Sequence, residues 1–222
     1  MTPLMTVQYG STPPQTADLY LPDTDTQVPV VCLLHGGFWR VPHGREQFHA
    51  IAIDHLAGLR EQGHHLDLER VVVVGHSAGG QLALAAASGA TPGITPSRVR
   101  LRAVCSQAGL CDLEQAFAAD AGQGEVREFL GGAPDQCRER YLDASPVRRL
   151  PHDARVLVLH GRDDEAVPLA MSRNYAESAR AAGCAVELIE IPAAGHMEFL
   201  EPASVAHAHL RDWLERTAFR AS

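Results

Sequence analysis

Four consecutive valines, Val71 to Val74, run into Gly75-His76-Ser77-Ala78-Gly79-Gly80 and then into a small-residue stretch, Gln81 to Ser88. A segment that is apolar at every position, rather than at every second one, must be covered on both faces. That is the condition of a strand inside a parallel sheet with helices on each side. Other apolar runs alternate with helical patterns in the same sense. Val28 to Leu34, Val99 to Cys105, Arg155 to Leu159 and Ala185 to Ile191 read as strands. Glu46 to Gln62, Leu169 to Ala182 (ended by Gly183) and about Pro202 to Thr217 read as helices. In Glu46 to Gln62 the positions Phe48, Ile51, Ala52, His55, Leu56 and Leu59 form one stripe, as a crossover helix requires. The class expected is α/β. With no internal repeat and no linker-length Pro/Gly tract, residues 1–222 are expected to form a single domain. Residues 110–151 differ: polar, rich in Gly and Asp, with short helical patterns at Glu125 to Leu130 and Gln136 to Tyr141. They form an excursion between two strands, read either as a small lid over the strand ends or as an ordinary packed insertion.

The turn after the valines carries the strongest chemical signal. A buried strand, Gly-x-Ser-x-Gly and a small-residue helix make a nucleophile elbow, in which the strained turn projects the Ser77 hydroxyl at a helix N-terminus. The pattern alone also occurs as plain structure; the strand and helix around it favour function. A second apolar strand ends in His35-Gly36-Gly37-Phe38-Trp39. Its glycines let main-chain N–H groups face a ligand, so Gly37 and Phe38, with Ala78, are the expected oxyanion donors. Phe38 and Trp39 read equally as core rings, and His35, preceding the serine, as a residue that fixes its loop rather than as a base. Two further post-strand loops carry polar residues at the sheet edge where Ser77 would lie: His160-Gly161-Arg162-Asp163-Asp164 and Gly195-His196. The order serine, acid, histidine is that of a hydrolytic triad, with Asp163 and Asp164 both open as the acid.

Composition narrows the alternatives. A net charge of -8 with no basic block gives no footprint for nucleic acid or an anionic membrane. All 19 basic residues are Arg, which excludes a lysine nucleophile, a P-loop lysine and a Ser-Lys dyad. No apolar run approaches a membrane span and Met1 to Gly10 lacks a secretory pattern, so a cytoplasmic location is expected. The five scattered cysteines are expected to be reduced. His64-His65 and His207/His209 lack metal-ligand spacing, and no metal or cofactor is expected.

These residues resemble the α/β-hydrolase superfamily, in particular its small serine esterases with a His-Gly-Gly-x-Trp motif, among them the kynurenine formamidases. The likeness rests on Leu19-Tyr20-Leu21-Pro22, His35 to Trp39, Gly75 to Gly80, Ala144-Ser145-Pro146, His160-Gly161 with Asp164 and Val167-Pro168, and Gly195-His196. It implies cofactor-free hydrolysis of an acyl bond, selects Asp164 over Asp163, and names Ser77, Asp164 and His196 as the triad. Gly37, Phe38 and Ala78 would be the oxyanion hole, with Trp39 and His76 lining the substrate pocket. The implied partner is a small ester, or alternatively an aryl formamide. One departure stands out. Only 36 residues, 35–70, separate the strand ending at Leu34 from the one starting at Val71, room for one crossover helix where such hydrolases have a further helix and strand. The sheet is therefore expected either to close up, with Thr16 to Leu21 beside Val30 to Leu34, or to leave a strand edge unpaired. A third reading follows, a non-catalytic or truncated relic.

Overall fold

A computed structural model describes residues 5–9, 15–39, 56–88, 99, 101–121 and 123–219. Five parallel strands form one sheet in the order β3 (Val28–Leu34), β4 (Leu66–His76), β5 (Leu101–Gln107), β6 (Arg155–Gly161) and β7 (Val186–Ile191). Two short strands, β1 (Met5–Gln8) and β2 (Thr16–Leu19), pair antiparallel in a separate sheet. Helical residues 56–61 (α1) precede β4, and α2 (Ala78–Ala87) follows it. Between β5 and β6 lie α3 (Leu113–Ala118), α4 (Glu125–Leu130), α5 (Arg138–Ala144) and a 3₁₀ turn at Pro146–Arg149. Helix α6 (Leu169–Ala181) joins β6 to β7. A 3₁₀ turn at His196–Leu200, α7 (Val205–Leu214) and a π turn at Glu215–Phe219 complete the described chain.

The valine run behaves as its composition demands. Val71 and Val73 face one side of the sheet with Val104, Val156 and Val158, under Leu56 and Leu59 of α1, Ala83 and Leu84 of α2, and Met171 and Tyr175 of α6. Val72 and Val74 face the other side with Ala103, Cys105, Leu157 and Leu159, under Ala206, Leu210 and Trp213 of α7. All four valines are 0–3% exposed, so each buried side chain contributes roughly 1.5–3 kcal/mol of transfer free energy to the sheet they anchor. The five-stranded sheet is wholly parallel with helices on both faces, and the antiparallel pair β1–β2 stands apart from it.

Of the two arrangements the short 35–70 connection permits, the closed-up one, with Thr16 to Leu21 beside β3, is not found among the described residues. Strand β2 pairs with β1, and β3 has a described neighbour on one side only, β4. Leu33 of β3 is 74% exposed. The β3–β4 register slips between Pro29 and Val30, which sets Leu34 level with Gly75, so the loops after these two strands leave the sheet side by side. The predicted crossover helix Glu46 to Gln62 is described only over 56–61; the rest lies outside the described residues.

The 110–151 excursion packs Leu113, Ala116, Val126, Phe129, Leu130, Tyr141 and Ala144 into the core on the α2 and α6 side. Asp112 caps α3 by accepting the N–H groups of Glu114 and Gln115 at 3.0 and 3.2 Å, satisfying two donors that a helix start leaves unpaired. Ser145 accepts the Leu113 N–H at 2.9 Å and donates to the Tyr141 carbonyl at 2.7 Å, tying the two ends of the excursion together.

Candidate active site

Three loops at the carboxyl edge of the sheet converge on one point, as the parallel arrangement requires. Ser77 follows β4 directly, with φ 55° and ψ -120°, a conformation an L residue adopts only under strain. Packing enforces it. The Ser77 N–H donates to the Gln107 carbonyl at 2.9 Å, and α2 begins at the next residue. A side chain at Gly75 would collide with the Gly79 carbonyl, and one at Gly79 with the carbonyls of Leu34 and His35. The two glycines let the elbow close and let the loop after β3 lie against it.

His196 opens the 3₁₀ turn after β7 and stands between the other two groups. Its Nε2 is 3.0 Å from Ser77 Oγ and its Nδ1 is 2.8 Å from Asp164 Oδ2. An ionised carboxylate only accepts, so Nδ1 carries the hydrogen, leaving Nε2 to accept the Ser77 hydroxyl proton. Asp164, in the loop after β6, has a fully buried side chain whose Oδ1 accepts the N–H groups of Ala166 and Val167 at 2.9 and 2.8 Å. Burial alone would raise its pKa. The hydrogen bonds from His160, His196 and Val167 outweigh it and hold the carboxyl well below the usual carboxylate range. Asp163 is exposed and its N–H donates to the Ala194 carbonyl at 3.0 Å, so Asp164 is the acid that meets the imidazole. The acid and histidine loops are stitched together: Arg162 N–H reaches the Ile191 carbonyl at 2.9 Å, and a side chain at Gly161 would strike the Ala194 carbonyl.

The remaining predicted residues lie around this chain. His76 is 6% exposed and its Nε2–H donates to the main-chain carbonyl of His196 at 2.9 Å, so it braces the histidine turn from beneath. Burial chiefly, with the nearby His196, holds the His76 imidazole below its ordinary pKa, so it adds no charge beside His196. Gly36 packs against Ser77, where an added Cβ would stand 3.2 Å from the serine Cβ. The next three residues, Gly37, Phe38 and Trp39, take φ values of 115°, 59° and 53°, a left-handed turn in the loop after β3. Phe38 is exposed. Trp39 stacks on Phe129 of α4 at 4.4 Å between ring centroids and 15° between planes, and its Nε1–H donates to Gln81 Oε1 at 2.9 Å. His35 is exposed and donates from Nδ1 to the Gly36 carbonyl at 2.6 Å, within its own loop. The Ala78 N–H, first in α2, has no carbonyl one turn earlier to bond and sits beside the serine.

Two side chains to which sequence reading assigned no role take part. Gln81, 2% exposed, bridges the Trp39 indole to the Ala144 carbonyl, with its Nε2 at 2.7 Å from that oxygen. It is the sole polar side chain in AGGQLALAAA, which is the signal available beforehand. His160, 0% exposed, lies against Asp164 from the far side, and its signal is a histidine closing a strand otherwise apolar from Val156 to Leu159. Among the described residues no group of three or more His, Cys, Asp or Glu is gathered as a metal site, and no helix is long and apolar enough to cross a membrane.

Comparison with known proteins decides the family. Residues 52–219 match the prolyl oligopeptidase family. The chain belongs to that family. The matched span of this prolyl oligopeptidase-family member takes in Ser77, Asp164 and His196 but begins after Gly37, Phe38 and Trp39. Comparison with curated proteins finds no match. Among solved structures it is similar to a truncated carbohydrate esterase from gut microbiota, with TM-score 0.81 and 16% identity over 99% of this chain and 98% of that one. It is also similar to a propionate-bound esterase of the planctomycete Thermogutta terrifontis, with TM-score 0.74 and 18% identity over 98% and 96% of the two chains. An inhibited esterase B from Lactobacillus rhamnosis gives TM-score 0.78 and 15% identity over 99% and 88%. At these identities the likeness is one of fold. The prolyl oligopeptidase-family chain is a hydrolase with the α/β-hydrolase fold.

Proposed function

We propose that the chain is a serine hydrolase that cleaves small carboxylic esters through an acyl-enzyme. The observation that carries the proposal is the unbroken line from Ser77 Oγ through His196 to Asp164. Ser77 Oγ attacks the acyl carbon as its proton passes to His196 Nε2, while Asp164 stabilises the imidazolium and keeps Nδ1 protonated. The oxyanion faces the N–H groups of Ala78, Gly37 and Phe38, where each donor contributes a few kcal/mol to the tetrahedral state. Collapse expels the alcohol, which takes the proton from Nε2. Water, deprotonated by His196, then attacks the acyl carbon and releases the acid, and Ser77 regains its proton.

An aryl formamide is the second substrate reading, favoured by the exposed Phe38 ring in the loop after β3, an aromatic face against which an aryl group can lie. Initial rates on short-chain nitrophenyl esters and on N-formylkynurenine separate the two. Ser77→Ala is expected to lower kcat by about 10⁴ to 10⁶ on whichever is cleaved, with folding intact. Wild-type rates in that variant would refute the proposal, and a folded wild-type protein inert to both substrates would leave the relic reading.

A further inference from the structure

Behind Asp164 lies a second imidazole that the reaction as described does not use. His160 closes β6 with its ring 0% exposed. Its Nε2 is 2.9 Å from the Val167 carbonyl, and a carbonyl only accepts, so Nε2 carries a hydrogen. The same atom is 3.4 Å from Asp164 Oδ2. Nδ1 is 2.7 Å from Oγ of Ser172, a residue of α6 that is also 0% exposed, and in the neutral ring it accepts that hydroxyl proton. The tautomer is therefore fixed from both sides. Asp164 Oδ2 lies between two imidazole nitrogens: His196 Nδ1, whose hydrogen it accepts at 2.8 Å, and His160 Nε2 at 3.4 Å, whose one hydrogen goes to the Val167 carbonyl.

We propose that His160, oriented by Ser172, is a positioning residue that sets the basicity of His196 through Asp164. The inference rests on the hydrolase reading above. The positive end of the His160 N–H dipole, buried 3.4 Å from the same carboxylate oxygen, offsets part of the negative charge that His196 meets, so the imidazolium of His196 is less favoured and Nε2 stays a free base to lower pH. Other groups facing this line contribute little charge. Tyr175 on α6 and Cys111 after β5, which bonds Ser172, are raised by burial, the cysteine to about 12. His76, on the far side of His196, is held low by burial. Asp164 is thus the charge through which His160 acts.

The test is the acid limb of the kcat/KM pH profile, normalised to sites titrated with a fluorophosphonate so that unfolded protein drops out. His160→Leu removes the donor and is expected to move the limb up by about one pH unit. His160→Gln returns an N–H at the reach of Nε2 and is expected to restore it to within about 0.3 unit of wild type. Ser172→Ala, which loosens the ring without removing it, is expected to shift the limb in the same direction by about half as much. These variants still give a reading if His160→Leu does not fold. A limb that stays in place in His160→Leu and Ser172→Ala while their Tm falls would make His160 a packing residue and overturn the inference alone. A folded wild-type protein that takes no fluorophosphonate would overturn the hydrolase reading, and this role with it.

Discussion

Replacing Asp164 by Asn puts an NH2 group in place of one carboxylate oxygen and reverses the direction of the hydrogen bond to His196. The Ala166 and Val167 N–H groups, at 2.9 and 2.8 Å, fix the amide oxygen at the position of Oδ1, because an amide NH2 there would face two donors. The amide nitrogen then takes the place of Oδ2, 2.8 Å from His196 Nδ1 and 3.4 Å from His160 Nε2. Both of those nitrogens carry hydrogens in the wild type. His196 escapes the clash by moving its hydrogen to Nε2, where it points at Ser77 Oγ and can no longer accept the hydroxyl proton. The wrong tautomer and the lost carboxylate charge are expected to lower kcat/KM at neutral pH by about 10⁴, or about 5.5 kcal/mol of transition-state stabilisation. Stability should fall much less. The two bonds to the amide oxygen survive without the carboxylate charge, the bond to His196 is no longer charge-assisted, and the His160 N–H faces an NH2, which together give about 2–3 kcal/mol and a Tm lower by about 5–10 °C. Steady-state ester hydrolysis with a thermal melt on the same sample checks both quantities. An Asp164→Asn protein that keeps more than a tenth of wild-type kcat/KM would refute the tautomer argument.

Two further outcomes follow from the same geometry. Gly79→Ala drives a Cβ into the Leu34 and His35 carbonyls, backbone that cannot yield, and is expected to destabilise by about 3 kcal/mol or more in urea denaturation; a loss under 1 kcal/mol would mean the β3 loop does not lie against the elbow. Because the folded-state pKa of Asp164 is lowered, its stabilisation is present above the unfolded carboxylate value of about 3.9 and is lost as pH falls below it. Urea titrations between pH 5 and 2 should show a steeper loss for wild type than for Asp164→Asn, and parallel curves would contradict the assigned hydrogen bonds.

Much of this site is legible in the sequence because it is built from strand ends. An unbroken apolar run names a buried strand, and a buried parallel strand delivers whatever follows it to one edge of the sheet; Ser77 and Asp164 follow such runs, and His196 follows β7, whose Val186-Glu187-Leu188-Ile189-Glu190-Ile191 is only partly buried. Helix α4 was legible to the residue, since Gly124 and Gly131, both left-handed, bracket Glu125–Leu130. Strand β4 begins at Leu66, five residues before the valines, because its first half, Leu66-Asp67-Leu68-Glu69-Arg70, alternates and does not read as a fully buried strand. Helix α3 escaped periodicity altogether at six residues and is marked mainly by its Asp112 cap. The choice between Asp163 and Asp164 was not open to spacing, as adjacent residues in a loop differ only in which way the chain turns. His160 and Gln81 were hidden for a related reason: periodicity gives the face a side chain occupies, while their roles depend on partners 12 and 42 residues away in sequence.

The central claim is that Ser77 is a nucleophile activated by His196. Intact-mass analysis of the folded protein after a fluorophosphonate, followed by peptide mapping, tests it directly. The account predicts one adduct per chain, located on Ser77 and absent from His196→Ala. No adduct on folded protein, or an adduct on another residue, would contradict it.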